Sequence, residues 1–171
     1  MWSQQNEGLA CLRGRVIAVS PGLARDIAAS YGLGPDEVHV VPNGVDLQEF
    51  SPESRGSLGP QFRAEHGLPS GAFLGLFVGG DWARKGLDHA IQALELVGDR
   101  AIQLAVVGDG DQAAFGRLIG FEARKRLHFI GPRRSCRDAY AAADAFLFAS
   151  YYESFSLVVF EAAAAGVPIL A

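Results

Sequence analysis

The sequence is short of the residues that build several kinds of function. It has two cysteines, Cys11 and Cys136, far apart and in no CxxC or Cys/His spacing. That speaks against a disulfide-stapled scaffold and a zinc module, and the pair reads as reduced thiols in a cytoplasmic protein. Positive charge is scarce: 15 Lys and Arg stand against 19 Asp and Glu, for a net charge of -4. Nothing there forms the basic stripe that nucleic acid requires. No apolar run approaches the ~20 residues that cross a bilayer. The opening stretch "MWSQQNEGLACLRG" lacks the basic start and apolar centre of a signal peptide. There is no internal repeat and no low-complexity tract. What remains is a globular composition, 49% hydrophobic and 20% charged, in 171 residues that fit one or two small domains.

Strand and helix signals alternate along the chain. "RVIAVS" from Arg15 to Ser20 is a short β-branched run, and "PGLARDIAASYG" follows with helical spacing at Leu23, Ile27 and Tyr31. "VHVVPNG" is a second strand, stopped by Pro42 and Asn-Gly. Residues 47–70 are polar and rich in Pro, Gly and Ser; they read as a linker, with a short helix near Gln61 to His66. A second series then begins: strands "AFLGLFVGG", "AIQLAVVG", "RLHFIG", "AFLFAS" and "VPILA" alternate with helices, the last of them "SLVVFEAAAAG". Continuous apolar strands separated by helices predict an α/β fold with a doubly wound parallel sheet. A parallel sheet needs helices on both faces, and the chain stops on a strand at Ala171, so the sequence reads as a fragment. Its expected organisation is a remnant domain over 1–46, a linker over 47–70 and a truncated second domain over 71–171.

Ligands of such sheets bind beyond the carboxyl ends of the strands, and four ends are informative. In "FVGGDWARKGLDHAI" the strand closes on Gly79-Gly80, and Arg84-Lys85 stand at the start of a helix. Cations there oppose the helix dipole unless an anion joins them, and Arg and Lys together suit a diphosphate. A solvated basic turn is the alternative. In "VVGDGD" Gly108 and Gly110, with Ala113, loosely fit a dinucleotide glycine loop. The following strand "RLHFIG" ends without the acid that would hold a ribose, so a tight glycine turn is the better account, and Asp109 and Asp111 make a weak metal pair. In "HFIGPRR" the backbone at Ile130, Gly131 and Pro132 suits a flat base, or is a plain loop. In "YYESFSLVVFEAAAAGVPIL" Ser154 or Ser156 can cap a helix whose amides near Phe155 to Val158 attract phosphate. That helix is apolar on all sides and reads as buried, which makes Glu161 costly unless it is hydrogen-bonded; a place at the solvent rim is the other option. With Glu153 ahead of the helix, the two carboxylates span about 12 Å of rise, close to the two ends of a sugar nucleotide.

These stretches, in this order, resemble the retaining GT-B glycosyltransferases of the large family 4 group. "ESFSLVVFE" fits their E-x7-E motif, and "VIAVS", "VHVVPNGVDLQEFSP", "LFVGGDWARKGLDHAIQAL", "LAVVGDG", "HFIGPRR" and "YAAADAFLFASYYESFSLVVFEAAAAGVPIL" follow the family from Arg15 onward. The GxxxxRKG variant looks most like bacterial enzymes that build the lipopolysaccharide core, glucosyltransferases among them. The resemblance implies two Rossmann-like domains around a cleft, with a UDP- or GDP-sugar held by the second. It gives the diphosphate to Arg84 and Lys85, beside Gly79, Gly80 and Gly108. It gives the donor sugar to Glu153 and the ribose to Glu161. Ser154 and the amides of Phe155, Ser156 and Leu157 fall at the sugar or phosphate, and Ile130 and Pro132 at the base. No metal and no other cofactor is implied. The implied acceptor is a glycan or lipid-linked saccharide, met at the inner face of a membrane. Gly80 stands where many members carry Arg, and Ser154 and Ser156 stand where many carry Gly-x-Pro or Gly-x-Gly. With most of the acceptor domain absent, little or no activity is expected of the chain alone. A non-catalytic nucleotide-sugar-binding or interaction module, and a nucleotide-binding oxidoreductase, are the alternatives.

Overall fold

Ser20-Pro21 is a strong helix start, and in the computed structural model it works as one. The structure describes residues 16–34 and 36–171, so Cys11 and Arg15 lie outside the described residues. The Ser20 hydroxyl accepts from Leu23 N at 3.2 Å, and Pro21 opens helix α1 (Pro21–Tyr31). Gly32 ends it in the left-handed conformation. The helix connects strands β1 (Val16–Ala18) and β2 (Val38–Val40), which pair in parallel. Leu23, Ile27 and Ala28 pack on Val16, Ala18 and Val38. This βαβ piece belongs to the first of two compact units, Met1–Gly44 with Glu153–Leu157; the second is Val45–Tyr152 with Val158–Ala171.

The second unit is built on a five-stranded parallel sheet. Its strands are β3 (Phe73–Val78), β4 (Ile102–Val107), β5 (Leu127–Gly131), β6 (Ala145–Leu147) and β7 (Ile169–Leu170), in the order β5-β4-β3-β6-β7. The order reverses between β3 and β6, which makes the carboxyl ends of these two strands the topological switch point. In β3 Leu74, Leu76 and Val78 point into one core and Phe77 into the other, so the strand is buried on both faces. One face carries α2 (Arg55–Glu65), α6 (Arg137–Ala142) and α7 (Leu157–Ala164). The opposite face carries α3 (Leu87–Leu96), where Leu87, Ile91 and Leu94 meet Phe77, Leu104 and Val106. Two short helices, α4 (Gln112–Gly116) and α5 (Phe121–Arg124), join β4 to β5. The doubly wound α/β arrangement expected from the alternation is present.

Two elements differ from the sequence expectation. The stretch expected as a linker holds a 3-10 turn, Pro52–Ser54, and the eleven-residue α2, longer than the short helix expected near Gln61. Gly56, Gly59 and Pro60 hide it from propensity, and tertiary contact overrides them. Phe62 is buried, and Arg63 donates to the carbonyls of Ala142, Pro69 and Ala72 and to Asp144 Oδ2 at 2.8 Å. The other difference is α7, expected to be buried all round. Ala162 is buried, whereas Leu157 and Phe160 are 43% and 44% exposed. An eight-residue helix lying on a sheet covers one side only; Val158, Val159, Ala162 and Ala164 take it, Glu161 is half-buried, and Leu157, Phe160 and Ala163 face outward.

Candidate functional site

The turn after β3 is shaped by what its side chains can reach. Trp82 is 3% exposed, stacks on Phe129 with ring centres 5.3 Å apart, and donates its indole N–H to Gly79 O at 2.8 Å. That anchor draws the turn down onto the sheet and leaves the residues after it facing out. Lys85 N donates to Asp81 O and Leu87 N to Trp82 O, both at 3.0 Å, which closes the turn into α3. Arg84 Nε donates to Asp81 Oδ2 at 2.9 Å and its Nη1 to Tyr152 O at 2.7 Å, while Tyr151 N donates back to Arg84 O at 3.0 Å. The basic turn is thereby sewn to the loop leaving β6, the other side of the switch point.

Lys85 lies along the end of β3. Gly79 has φ of 148°, and a Cβ there would stand 2.4 Å from Lys85 Cδ and 2.7 Å from Cε. The lysine arm therefore occupies the space a side chain would fill, with its ammonium above the carboxyl end of the strand. Gly108 closes the neighbouring strand under the same pressure, since a Cβ on it would meet Gly79 O at 2.0 Å. Gly79 N donates to Val107 O and Gly108 N to Gly131 O, so the ends of β3, β4 and β5 step across one edge. Gly80 follows on the exposed side. In the same glycine stretch, the Asp111 carboxylate accepts from Ala114 N at 2.9 Å and caps α4. That cap is the role the structure gives Asp111, which was read as half of a weak metal pair.

The acid in α7 has a partner that the sequence did not announce. Tyr140, with no exposed surface, puts its hydroxyl 3.0 Å from Glu161 Oε2 and 3.1 Å from Val158 O. Burial raises the Glu161 carboxyl above its ordinary range; the tyrosine hydrogen bond pulls it down, and Glu49 pushes it up. Burial, followed by the charge of Glu161, likewise raises the Tyr140 phenol, which stays a donor. The Cys136 thiol is pushed up to about 11 by burial first and by Glu161 and Asp138 after it, so it is an inert neutral group. Ile130 packs its side chain into the core that holds Tyr140 and Cys136. Pro132 lines a cavity of about 530 Å³ together with Glu49, Leu58, Arg133, Arg134 and Arg137.

Residues Glu153, Ser154, Phe155, Ser156 and Leu157 group with the first unit, whereas Arg84, Lys85, Gly79, Gly80, Gly108, Ile130, Pro132 and Glu161 group with the second. Glu153 precedes α7, as expected. Only the residues from Leu157 onward are helical, so four helical steps, about 6 Å of rise, lead to Glu161. Ser156 has φ of 52°, and its hydroxyl is buried without a hydrogen-bond partner among the described residues. An N-cap serine uses an extended backbone to reach forward amides; Ser156 has the left-handed one and caps nothing with its side chain. Sequence reading missed Trp82, Asp81 and Tyr140. The one available signal was a lone tyrosine in the alanine-rich "DAYAAAD".

The family described as "Glycosyl transferases group 1" matches residues 72–171, and "Glycosyltransferase Family 4" matches residues 7–49. The chain is 35% identical to a D-inositol 3-phosphate glycosyltransferase of Xylanimonas cellulosilytica, over 92% of its own length and 42% of the relative's. It is 31% identical to the lipopolysaccharide glucosyltransferase WaaG of Escherichia coli K12, over 85% of its length and 40% of the relative's. The crystal structure of WaaG, a glycosyltransferase involved in lipopolysaccharide biosynthesis, superposes with a TM-score of 0.81 at 27% identity, covering 90% of this chain and 42% of that one. HepE of Anabaena, solved with UDP and glucose, shares the fold at a TM-score of 0.72 and 24% identity, over 91% of this chain and 43% of that one. The fold is of the GT-B type, and the chain spans about two fifths of the length of these proteins. No helix among the described residues is long and apolar enough to cross a membrane. By the match over 72–171, the chain belongs to the group 1 glycosyl transferases.

Proposed function

We propose that the chain supplies the donor-binding part of a glycosyltransferase that moves a sugar from a nucleoside diphosphate, of the UDP type, to a glycan or lipid-linked acceptor with retention of configuration. Lys85 carries this reading: its arm is laid over Gly79, so its ammonium stands at the carboxyl end of β3, beside the switch point. Anions are favoured there, and Arg84, fixed by Asp81 and the Tyr152 carbonyl, adds a second cation. Glu161, half-buried and held by Tyr140, accepts from ribose hydroxyls. Glu153 takes the hydroxyls of the donor sugar, and the amides of Phe155 to Leu157 the sugar or phosphate. Ile130 and Pro132 border the base.

In the reaction, the bond from the anomeric carbon to the β-phosphate oxygen breaks, and a bond from the same face to the acceptor oxygen forms. The acceptor proton leaves with the phosphate. The chemistry asks the protein to stabilise charge on the departing diphosphate, and two fixed cations do that. The naming of the Escherichia coli relative as a lipopolysaccharide glucosyltransferase supports the glycan or lipid-linked acceptor; the cytoplasmic side of a membrane is part of the proposal.

The test is calorimetric titration of the chain with UDP, GDP, inorganic diphosphate and NAD. UDP binds, and Lys85→Ala weakens it at least tenfold. NAD binding in preference to UDP sinks the reading, as does UDP binding indifferent to Lys85.

A further inference from the structure

Glu161 sits in an otherwise apolar helix, and the described residues offer its carboxylate one hydrogen-bond donor, the hydroxyl of Tyr140. The tyrosine comes from α6, a different element. Its ring is locked at the centre of the core, edge-on to Phe50 at 5.8 Å and to Phe146 at 5.9 Å. The hydroxyl proton has two acceptors in reach, Glu161 Oε2 and Val158 O, one helical turn apart on the same side of α7. Packing alone would need only the ring, and a carbonyl alone would satisfy the hydroxyl. Placing a carboxylate on it as well costs desolvation, and that cost marks the contact as more than filler.

We infer that Tyr140 is a positioning residue: its hydroxyl holds Glu161 by Oε2 and turns Oε1 toward the ribose hydroxyls of the bound nucleotide. The inference rests on the ribose role given to Glu161 above. A free glutamate side chain loses rotamer freedom when it grips a ligand. A side chain already clamped to a rigid ring has less to lose. Among the described residues, the groups that face this carboxyl are few. Tyr140 meets it from α6, Cys136 from the position just ahead of that helix and Glu49 from the segment after β2, with Asp138 and Arg133 acting on Cys136 behind them. Tyr140 is the one among them whose hydrogen bond favours the ionised form.

The experiment compares the wild-type chain with Tyr140→Phe, Glu161→Gln and the double variant. Selective carbon-13 labelling of glutamate follows the Glu161 carboxyl, assigned by its loss in Glu161→Gln. In Tyr140→Phe its titration moves to higher pH, and an unchanged titration overturns the inference whether or not any nucleotide binds. UDP affinity falls about fivefold in Tyr140→Phe, more steeply toward low pH, while affinity for inorganic diphosphate does not change. In the Glu161→Gln background the same substitution adds less than about twofold, because the coupled partner is gone. A full fivefold effect there means that Tyr140 acts through packing and defeats the proposal. Should Tyr140→Phe fold poorly, 3-fluorotyrosine at position 140, a stronger donor, moves the Glu161 titration to lower pH; no movement is again fatal. If the wild type binds diphosphate but not UDP, the ribose role falls, whereas a shifted carboxyl titration still upholds the clamp itself.

Discussion

The two edges of the five-stranded sheet use the same residue type in opposite ways. At the amino-terminal edge, two arginines, Arg63 and Arg126, are held by main-chain carbonyls. Arg63 takes the oxygens of Ala142, Pro69 and Ala72 and the Asp144 carboxylate, and its side chain is 12% exposed. Arg126, ahead of β5, is buried and holds Leu94 O at 2.8 Å and Asp99 O at 3.1 Å. At the carboxyl edge, Arg84 keeps 40% of its side chain exposed, and Lys85 lies over a glycine. A guanidinium surrounded by main-chain oxygens is a staple, since any ligand must compete with fixed acceptors. A cation on an exposed turn is reachable by an anion from solution. The difference teaches that charge alone does not mark a site; how far the charged group is buried among main-chain oxygens separates the two uses.

The largest effect that separates the edges is expected at the staple. Arg63→Ala leaves several carbonyls and the Asp144 carboxylate without their donor. It costs about 3 kcal/mol, a fall of roughly 6–12 °C in melting temperature. UDP affinity of the protein that remains folded stays within about twofold, because residue 63 is at the wrong edge. Unchanged melting, read by calorimetry, would break the distinction. Next comes Lys85→Ala, with the opposite profile: UDP binding weakens by about 30-fold, some 2 kcal/mol, while the melting temperature moves by less than about 2 °C.

Gly79→Ala sharpens the same point by steric means. The new Cβ takes the place of the Lys85 arm, at a φ that L side chains rarely adopt. UDP binding drops about tenfold and stability by about 1 kcal/mol. In Lys85→Ala the same glycine substitution leaves affinity where it was, since the displaced arm is no longer present. Isothermal titration of the four proteins reads this directly, and equal losses in both backgrounds would mean that Gly79 acts without Lys85.

How much of this was legible in the sequence follows from what pattern can encode. "AFLGLFVGG" showed β3 and its end because burial on both faces leaves a continuous apolar run. Arg84 and Lys85 could be found because a strand, two glycines and two cations stand in line. The helix α2 stayed mostly hidden: Gly56, Gly59 and Pro60 argue against it locally, and its reason, Arg63 reaching Ala142 and Asp144, lies some eighty residues away. The run from Leu157 to Ala164 announced a helix but not which side of it faces water. Tyr140 was invisible as a partner of Glu161, because a tyrosine in an alanine-rich helix looks like core and its hydroxyl contact depends on a fold-level meeting of α6 and α7. The grouping of Glu153 to Leu157 with the first unit also needed the folded chain.

The smallest predicted effect tests the carboxyl edge against itself. Glu161 is raised from its ordinary value of 4.5 by burial first, against the Tyr140 hydrogen bond and with help from Glu49. A carboxyl whose folded pKa lies above its unfolded one binds its proton more tightly in the folded state. Its stabilising contribution is full below the unfolded value and is lost as pH rises through the folded one. At pH 8 the ionised group therefore weighs against the fold. Glu161→Gln carries no charge and keeps an acceptor for Tyr140, so it melts about 1–2 °C higher than wild type at pH 8, a modest figure because the site is half open to solvent. The gap closes as pH falls through the folded pKa toward the unfolded one. UDP affinity moves the other way, since an amide is a weaker acceptor for ribose hydroxyls than a carboxylate. A variant that melts higher and binds worse at the same pH identifies Glu161 as held for its ligand at the expense of the fold. One that melts lower at pH 8 shows that the Tyr140 bond outweighs burial, and returns the residue to the class of Arg63.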